Sequence, residues 1–270
     1  MPSDRPHPLD YSSDDYAYVE RANPAVIALL RDARTSAASF HVLDVGCGAG
    51  AHARALGELD ASVRTWGIES NRRTASLAGA ACSAVFAGSA EQWLSAQDKL
   101  AGWPEAFDAV LLSDVLEHQA DPLGMLRSLT KSPRLERALY VVSVPNFAVW
   151  YNRARTLIGR FEYAESGLYD RTHLRFFTRA SLARLLEYAG FRIERSLCTP
   201  SLVQAFAPIL RMAFERDVQA GDHLSLFDSG LYRGYRRFVE PVETWACQRW
   251  PELLGFQLVV SARRDTRGAP

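Results

Sequence analysis

An α/β fold built on a mostly parallel sheet is predicted by three observations. Short apolar runs alternate with helix-compatible stretches through the first half of the chain. Those runs, VLDV at 42–45, AVLL at 109–112 and LYVVSV at 139–144, are nearly unbroken, as strands buried on both faces must be. Between the first run and the next helix lies a glycine loop, Gly46-Cys47-Gly48-Ala49-Gly50. Glycines there let the backbone turn sharply and approach a ligand where a side chain would collide.

Residues 1–22 read as a flexible N-terminal segment, rich in Pro, Ser and Asp and without the apolar run of a signal peptide. Asn23-Pro24 then forms an N-cap with proline at the first helical position, opening a helix through Val26, Ile27, Leu30 and Ala33. Strands are predicted at 41–45, 63–68, 84–87, 109–112 and 138–144. Helices fall between them at 49–59, 71–81, 91–100 and 123–130. Beyond Ser143 the rhythm changes. Residues 145–178 mix Phe147, Trp150, Tyr151, Phe161, Tyr163, Tyr169, Phe176 and Phe177 with five arginines, and read as an aromatic lid. Thr178 caps a clean helix with Leu182, Leu185, Leu186 and Ala189 on one face, and Gly190 ends it. A strand at 191–197 follows, completing a core over 23–198. Residues 199–252 read as a helical cap or insertion, and 253–264 hold the last strand, predicted at 253–262.

The 270 residues, 48% hydrophobic, suffice for one large domain or a domain with a small cap. Lys+Arg and Asp+Glu balance at 31 each, so no global field draws the chain to nucleic acid or an anionic membrane. No apolar run approaches the roughly 20 residues of a membrane span. Cys47, Cys82, Cys198 and Cys247 form no CxxC pair, which argues against structural zinc and for a reducing compartment; a soluble, cytoplasmic protein is the expectation. No HxH, ExxH or CxxC ligand set is evident, and no metal is expected.

The chemistry concentrates at strand ends. Glu69 ends the second strand, where a carboxylate can accept from both hydroxyls of a ribose, or else stand as a solvated acid. Asp44 either holds a loop N–H or approaches the amino end of a cofactor. The loop's GxGxG spacing departs from the GxGxxG of a nicotinamide enzyme.

VLDVGCGAG, Glu69 and FDAVLLSDVLEH (107–118) together resemble class I S-adenosylmethionine-dependent methyltransferases. The helix, strand, insertion and final strand after 178 resemble that family's closing hairpin. The resemblance implies a Rossmann-like seven-stranded sheet with one antiparallel strand. SVPNFAVWYNRARTLIGRFEY and GLYDRTHLRFFT are similar to a bacterial subgroup of methyltransferase domain 23. It is associated with cell-surface polysaccharide genes and related to ubiquinone-type O-methyltransferases. The PNF-W-R-GR portion is also similar to MetW proteins, which suggests a non-catalytic partner protein as the alternative to an enzyme.

The resemblance implies S-adenosyl-L-methionine as cofactor, leaving as S-adenosyl-L-homocysteine. Its site would comprise Asp44, Gly46, Cys47, Gly48, Gly50, Glu69 and Ser70, with Ser113 and Asp114 near the methionine part. The adenine amino group would meet Ser89, Glu91 or a backbone carbonyl, and Ala90 would give a backbone N–H. Asp114 reads equally as an N-cap. For the acceptor's proton, His173 oriented by Asp170 is the first candidate and His118 the second. DRTHLR reads alternatively as a folding signature tying the lid to the sheet. Asn146, Trp150, Arg171 and Arg175 are candidates for holding the acceptor, a small molecule or sugar. A homodimer is a further expectation.

Overall fold

In the computed structural model, residues 21–34, 39–164, 167–201 and 234–265 are described. The expected N-terminal segment falls almost wholly outside them, as does 202–233 of the expected cap. Seven strands form one sheet in the order β3-β2-β1-β4-β5-β7-β6. They are β1 Phe40–Val45, β2 Val63–Glu69, β3 Ala84–Ala87, β4 Ala109–Ser113, β5 Leu139–Pro145, β6 Phe191–Pro200 and β7 Gly255–Arg264. Only β7 runs against its neighbours, pairing antiparallel with both β5 and β6.

Side-chain alternation divides each central strand between two cores. Val42, Ala109, Leu111, Leu139, Val141 and Val259 pack under α1 (Pro24–Ala33) and Leu56 of α2 (Ala51–Leu59). Leu43, Val45, Val110, Leu112, Tyr140, Val142 and Val260 face the other way. There they meet α4 (Ala90–Ala96), α5 (Pro122–Leu129) and α7 (Arg179–Tyr188). The caps behave as the sequence dictates: Asn23 Oδ1 accepts from Ala25 and Val26, Thr178 Oγ1 accepts from Ser181, and Gly190 leaves α7 at φ +82°.

Several boundaries move. The helix expected from Ala49 starts at Ala51 because Gly50 sits left-handed at φ +81°. Asn71 caps α3 (Arg72–Ala78) from outside, accepting from Thr74 N–H. The lid contains a helix not foreseen, α6 (Trp150–Leu157). In the cap region, α8 spans Glu240–Arg249 and α9 spans Pro251–Leu254. Leu253 and Leu254 therefore belong to a helix, and the last strand opens at Gly255. That glycine has little room, since a Cβ would lie 2.7 Å from Cys198 Cβ. Cysteines scattered in sequence meet in space, with Cys198 Sγ 2.6 Å from Cys247 Sγ.

Candidate active site at the carboxyl edge of the sheet

The parallel strands β1, β2 and β4 end side by side, and the predicted donor residues sit at those ends. Gly46, Gly48 and Gly50 all have positive φ, which only glycine adopts cheaply. At Gly46 packing enforces the choice as well, because a Cβ would lie 2.8 Å from Val115 Cγ2. The loop's N–H groups are mostly engaged: Gly46 and Cys47 donate to Ile68 O, and Gly50 donates to Cys47 O. Cys47 turns its side chain into a small core with Ala53, Ala78 and Cys82, so any ligand would meet it through its backbone.

Glu69 is buried and held by the turn it closes. Its Oε2 accepts from Gly48 N–H at 3.0 Å and its Oε1 from Asn71 N–H at 2.8 Å. The exposed Ser70 places its hydroxyl 3.4 Å from Oε1. This is not a solvated strand-end acid.

Asp44 is 1% exposed, and neither carboxylate oxygen has a hydrogen-bond partner. It holds no loop N–H. Burial first, and the neighbouring Glu69 second, raise its pKa to about 7. His52, the second residue of α2, places Nδ1 3.8 Å from Oδ2. Asn23 N–H donates to His52 Nε2, so the ring proton sits on Nδ1 and points toward Asp44. Burial lowers the pKa of His52, keeping that ring neutral.

At the adenine end, Ser89 caps α4. Its hydroxyl accepts from Gln92 N–H, while Gln92 Oε1 accepts from Ser89 N–H. Ala90 is buried as the first residue of that helix, and Glu91 is exposed.

After β4 the backbone makes a strained turn. Asp114 has φ +55°, the only positive φ among the described non-glycine residues. Its N–H donates to Ser143 O, and Ser113 Oγ lies 2.9 Å from Ser143 Oγ. Gln257 Nε2 donates to both Asp114 oxygens, at 2.9 and 2.7 Å. Burial raises the Asp114 pKa, with the Gln257 hydrogen bond opposing it. Asp114 is thus a fixed acceptor rather than a simple N-cap. Gln257 reaches it because antiparallel β7 brings its early residues to the edge where the parallel strands end, pairing Gln257 with Pro145.

The turn continues into Glu117 and His118, and the lid lies over it. Leu174 and Arg175 N–H both donate to Glu117 O. His118 Nδ1 faces Thr172 O at 3.2 Å, and His173 Nδ1 faces Leu168 O at 3.1 Å. The two rings meet edge to face, centroids 4.8 Å apart. Burial first, and His173 second, lower the His118 pKa to about 4. Glu117 is 1% exposed, its two oxygens have no hydrogen-bond partner, and burial drives its pKa well above the usual carboxylate range.

Two expectations need correction. His173 is oriented by the Leu168 carbonyl rather than by Asp170, whose Oδ1 accepts from Thr172 N–H and hydroxyl. Asn146 does not face an acceptor. It is fully buried, donating its amide to Pro251, Glu252 and Gly255 carbonyls and accepting from Ala148 N–H. Glu117, His118 and His173 each offer an atom within 4.8 Å of the others. Trp150 is half-buried against Tyr151, and Arg171 is exposed. Arg175 is exposed too, with its guanidinium donating to Ala120 and Leu174 carbonyls. Sequence reasoning passed over His52, Gln257 and Glu117, and read Asn23 only as a helix cap. Glu117 lay in plain view one turn after Asp114, but only burial distinguishes it.

A family profile described as methyltransferase domain matches residues 17–196. A ubiquinone biosynthesis O-methyltransferase of Thiobacillus denitrificans is 28% identical over 189 residues, covering 69% of this chain and 78% of that protein. Another of that description, from Chromobacterium violaceum, is 29% identical over 167 residues, covering 60% and 69%. The crystal structure of a SAM-dependent methyltransferase from Archaeoglobus fulgidus superposes with TM-score 0.52 at 18% identity. It covers 90% of this chain and 95% of that one.

Proposed function

The chain belongs to the methyltransferase domain family, and on that premise we propose that it methylates a hydroxyl of a small-molecule acceptor. Its cofactor is S-adenosyl-L-methionine. Bound, that cofactor supplies a methyl carbon activated by its sulfonium and leaves as S-adenosyl-L-homocysteine. The residues fit the group. The observation that carries the reading is Asp44, a buried carboxylate with both oxygens unsatisfied beside the glycine loop. An isolated buried charge is costly, and an ammonium group placed against it offsets that cost. In this assignment Asp44 takes the amino end of the donor and Glu69, fixed by Gly48 and Asn71 N–H, takes the ribose hydroxyls. Gln257 holds Asp114 toward the methionine part. Ser89, Glu91 and the backbone at Ala90 remain the candidates at the adenine.

The lid residues are assigned to the acceptor. With Nδ1 turned to the Leu168 carbonyl, His173 keeps the Nε2 lone pair to meet a hydroxyl proton, and His118, its Nδ1 facing the Thr172 carbonyl, lies beside it as the second candidate. Aligning acceptor, carbon and sulfur while excluding water supplies the remainder, and such positioning is worth roughly 7–11 kcal/mol in favourable cases. Oxygen as the methylated atom is supported by the names of the ubiquinone biosynthesis relatives. A sugar or glycan-precursor hydroxyl is the first acceptor class to test, a quinone-type ring hydroxyl the second.

Calorimetry with the donor and its demethylated product, then incubation with labelled donor and fractionated cell extract, tests the reading. Both compounds should bind, and one fraction should gain label that mass analysis places on oxygen. Failure of either compound to bind overturns it. Binding with no donor consumed against any fraction points instead to a partner protein of the MetW kind.

A further inference from the structure

We propose that Asn23, the cap of α1, is a positioning residue for donor binding: through Gln257 it fixes the Asp114 carboxylate. The inference rests on the function proposed above, and Asn23 acts through Gln257 rather than on the donor itself.

The hydrogen bonds run in one direction. Asn23 Oδ1 is taken by the Ala25 and Val26 N–H groups that open α1, at 3.0 and 3.4 Å, so its amide nitrogen faces the other way. That Nδ2 donates to Gln257 Oε1 at 3.0 Å. Thr199 on β6 accepts from the Gln257 backbone N–H and turns its own hydroxyl proton to the same Oε1, at 3.3 Å. With Oε1 receiving two donors, Gln257 presents Nε2 to Asp114 and donates to both carboxylate oxygens. A helix start thus decides which end of a distant amide meets a carboxylate. Turned over, the same amide would set an oxygen against Asp114 and deprive it of those bonds.

Asn23 is itself held firmly. It is buried, its carbonyl accepts from Ile27 N–H, and its own N–H donates to His52 Nε2 at the start of α2, 3.2 Å away. Every polar group of the residue is therefore used, and the start of α1 is pinned against both α2 and β7. At the far end Asp114 stands in a backbone turn at φ +55°, its N–H bonded to Ser143 O. A carboxylate fixed before its ligand arrives avoids part of the ordering cost of binding. By this route a residue ahead of the first strand, outside both the glycine loop and the β4 turn, contributes to donor affinity.

The test uses the full chain. Asn23→Ser and Asn23→Asp keep a good helix cap and the backbone bond to His52. Neither can donate to Gln257 Oε1, serine because its hydroxyl stands one bond short, aspartate because it carries no proton. By calorimetry, donor affinity should fall about tenfold in each, with circular dichroism unchanged. Gln257→Met should weaken the donor by a similar factor, and adding Asn23→Ser to it should weaken the donor no further. Donor affinity unchanged in both Asn23 variants overturns the inference, and so does an additive loss in the double variant. Should Gln257→Met fail to fold, the two Asn23 variants still decide. A second readout needs no donor: nitrogen-15 magnetic resonance of the Gln257 side-chain amide should show faster exchange with water in Asn23→Ser. Wild-type chain that binds no donor removes the function proposed above. The exchange rate then judges Asn23 alone, faster exchange supporting its hold on Gln257 and an unchanged rate overturning it.

Discussion

Asp44 and Glu117 invite comparison, since they follow from neighbouring strands. Asp44 lies in β1, and Glu117 lies in the turn after β4, which pairs with β1. Both are 1% exposed, both lack hydrogen-bond partners, and burial is the first cause of each raised pKa. Their surroundings differ. Asp44 faces a glycine loop, the anion Glu69 and a neutral His52. Glu117 faces two imidazoles whose rings are fixed by carbonyls. One kind of group therefore stands in two settings, beside a backbone-lined loop at Asp44 and among imidazoles at Glu117.

The comparison breaks most sharply at the lid. His173→Ala should lower turnover by about 10²- to 10⁴-fold while leaving donor affinity unchanged, read by steady-state kinetics and calorimetry. A matching loss of donor affinity would merge the two ends of the crevice into one site. On the donor side, Glu69→Ala removes charge-assisted bonds worth about 1.5–3 kcal/mol each and frees the Gly48 and Asn71 N–H groups. Donor and product affinity should each fall by about a hundredfold or more, read by calorimetry.

Asp44 gives a pH signature. Its folded pKa, about 7, stands above the ordinary carboxylate value. The folded apo chain therefore keeps a proton that the unfolded chain loses, and stability should fall as pH rises from about 4 to about 7. Donor affinity should move oppositely, rising as the carboxylate ionises to meet the ammonium. Asp44→Asn should flatten both trends and weaken the donor by about tenfold at pH 8, measured by thermal melts and calorimetry across pH 5–8. The smallest effect is architectural. Asn146→Ala leaves buried carbonyls and the Ala148 N–H without their partner. It should cost about 1–3 kcal/mol by denaturant unfolding, with donor affinity retained.

The donor side was readable because its parts are adjacent in sequence or repeat a strand-to-loop pattern. The glycines, Asp44 and Glu69 all lie at the ends of β1 and β2 and needed only correct strand assignment. His52, two residues past the loop, escaped because nothing in a helix start marks a histidine that the segment at Asn23 will meet. The acceptor side was harder. Asn146 sits in a polar, aromatic stretch that suggests binding, yet its amide fastens the lid to the start of β7. Asp170 precedes a histidine closely enough to suggest orientation, yet it closes its own turn on Thr172.

By itself the sequence determined the alternation of buried strands and capped helices, the positive-φ glycine loop and the acid at the tip of β2. These are local matters of periodicity, capping and backbone freedom. Only tertiary structure decided that Gln257 on an antiparallel strand would reach Asp114, and that a folded lid would bring His173 against Glu117 and His118. Burial and orientation arise when distant segments exclude water together. No local pattern encodes which carboxylate will be left without a partner.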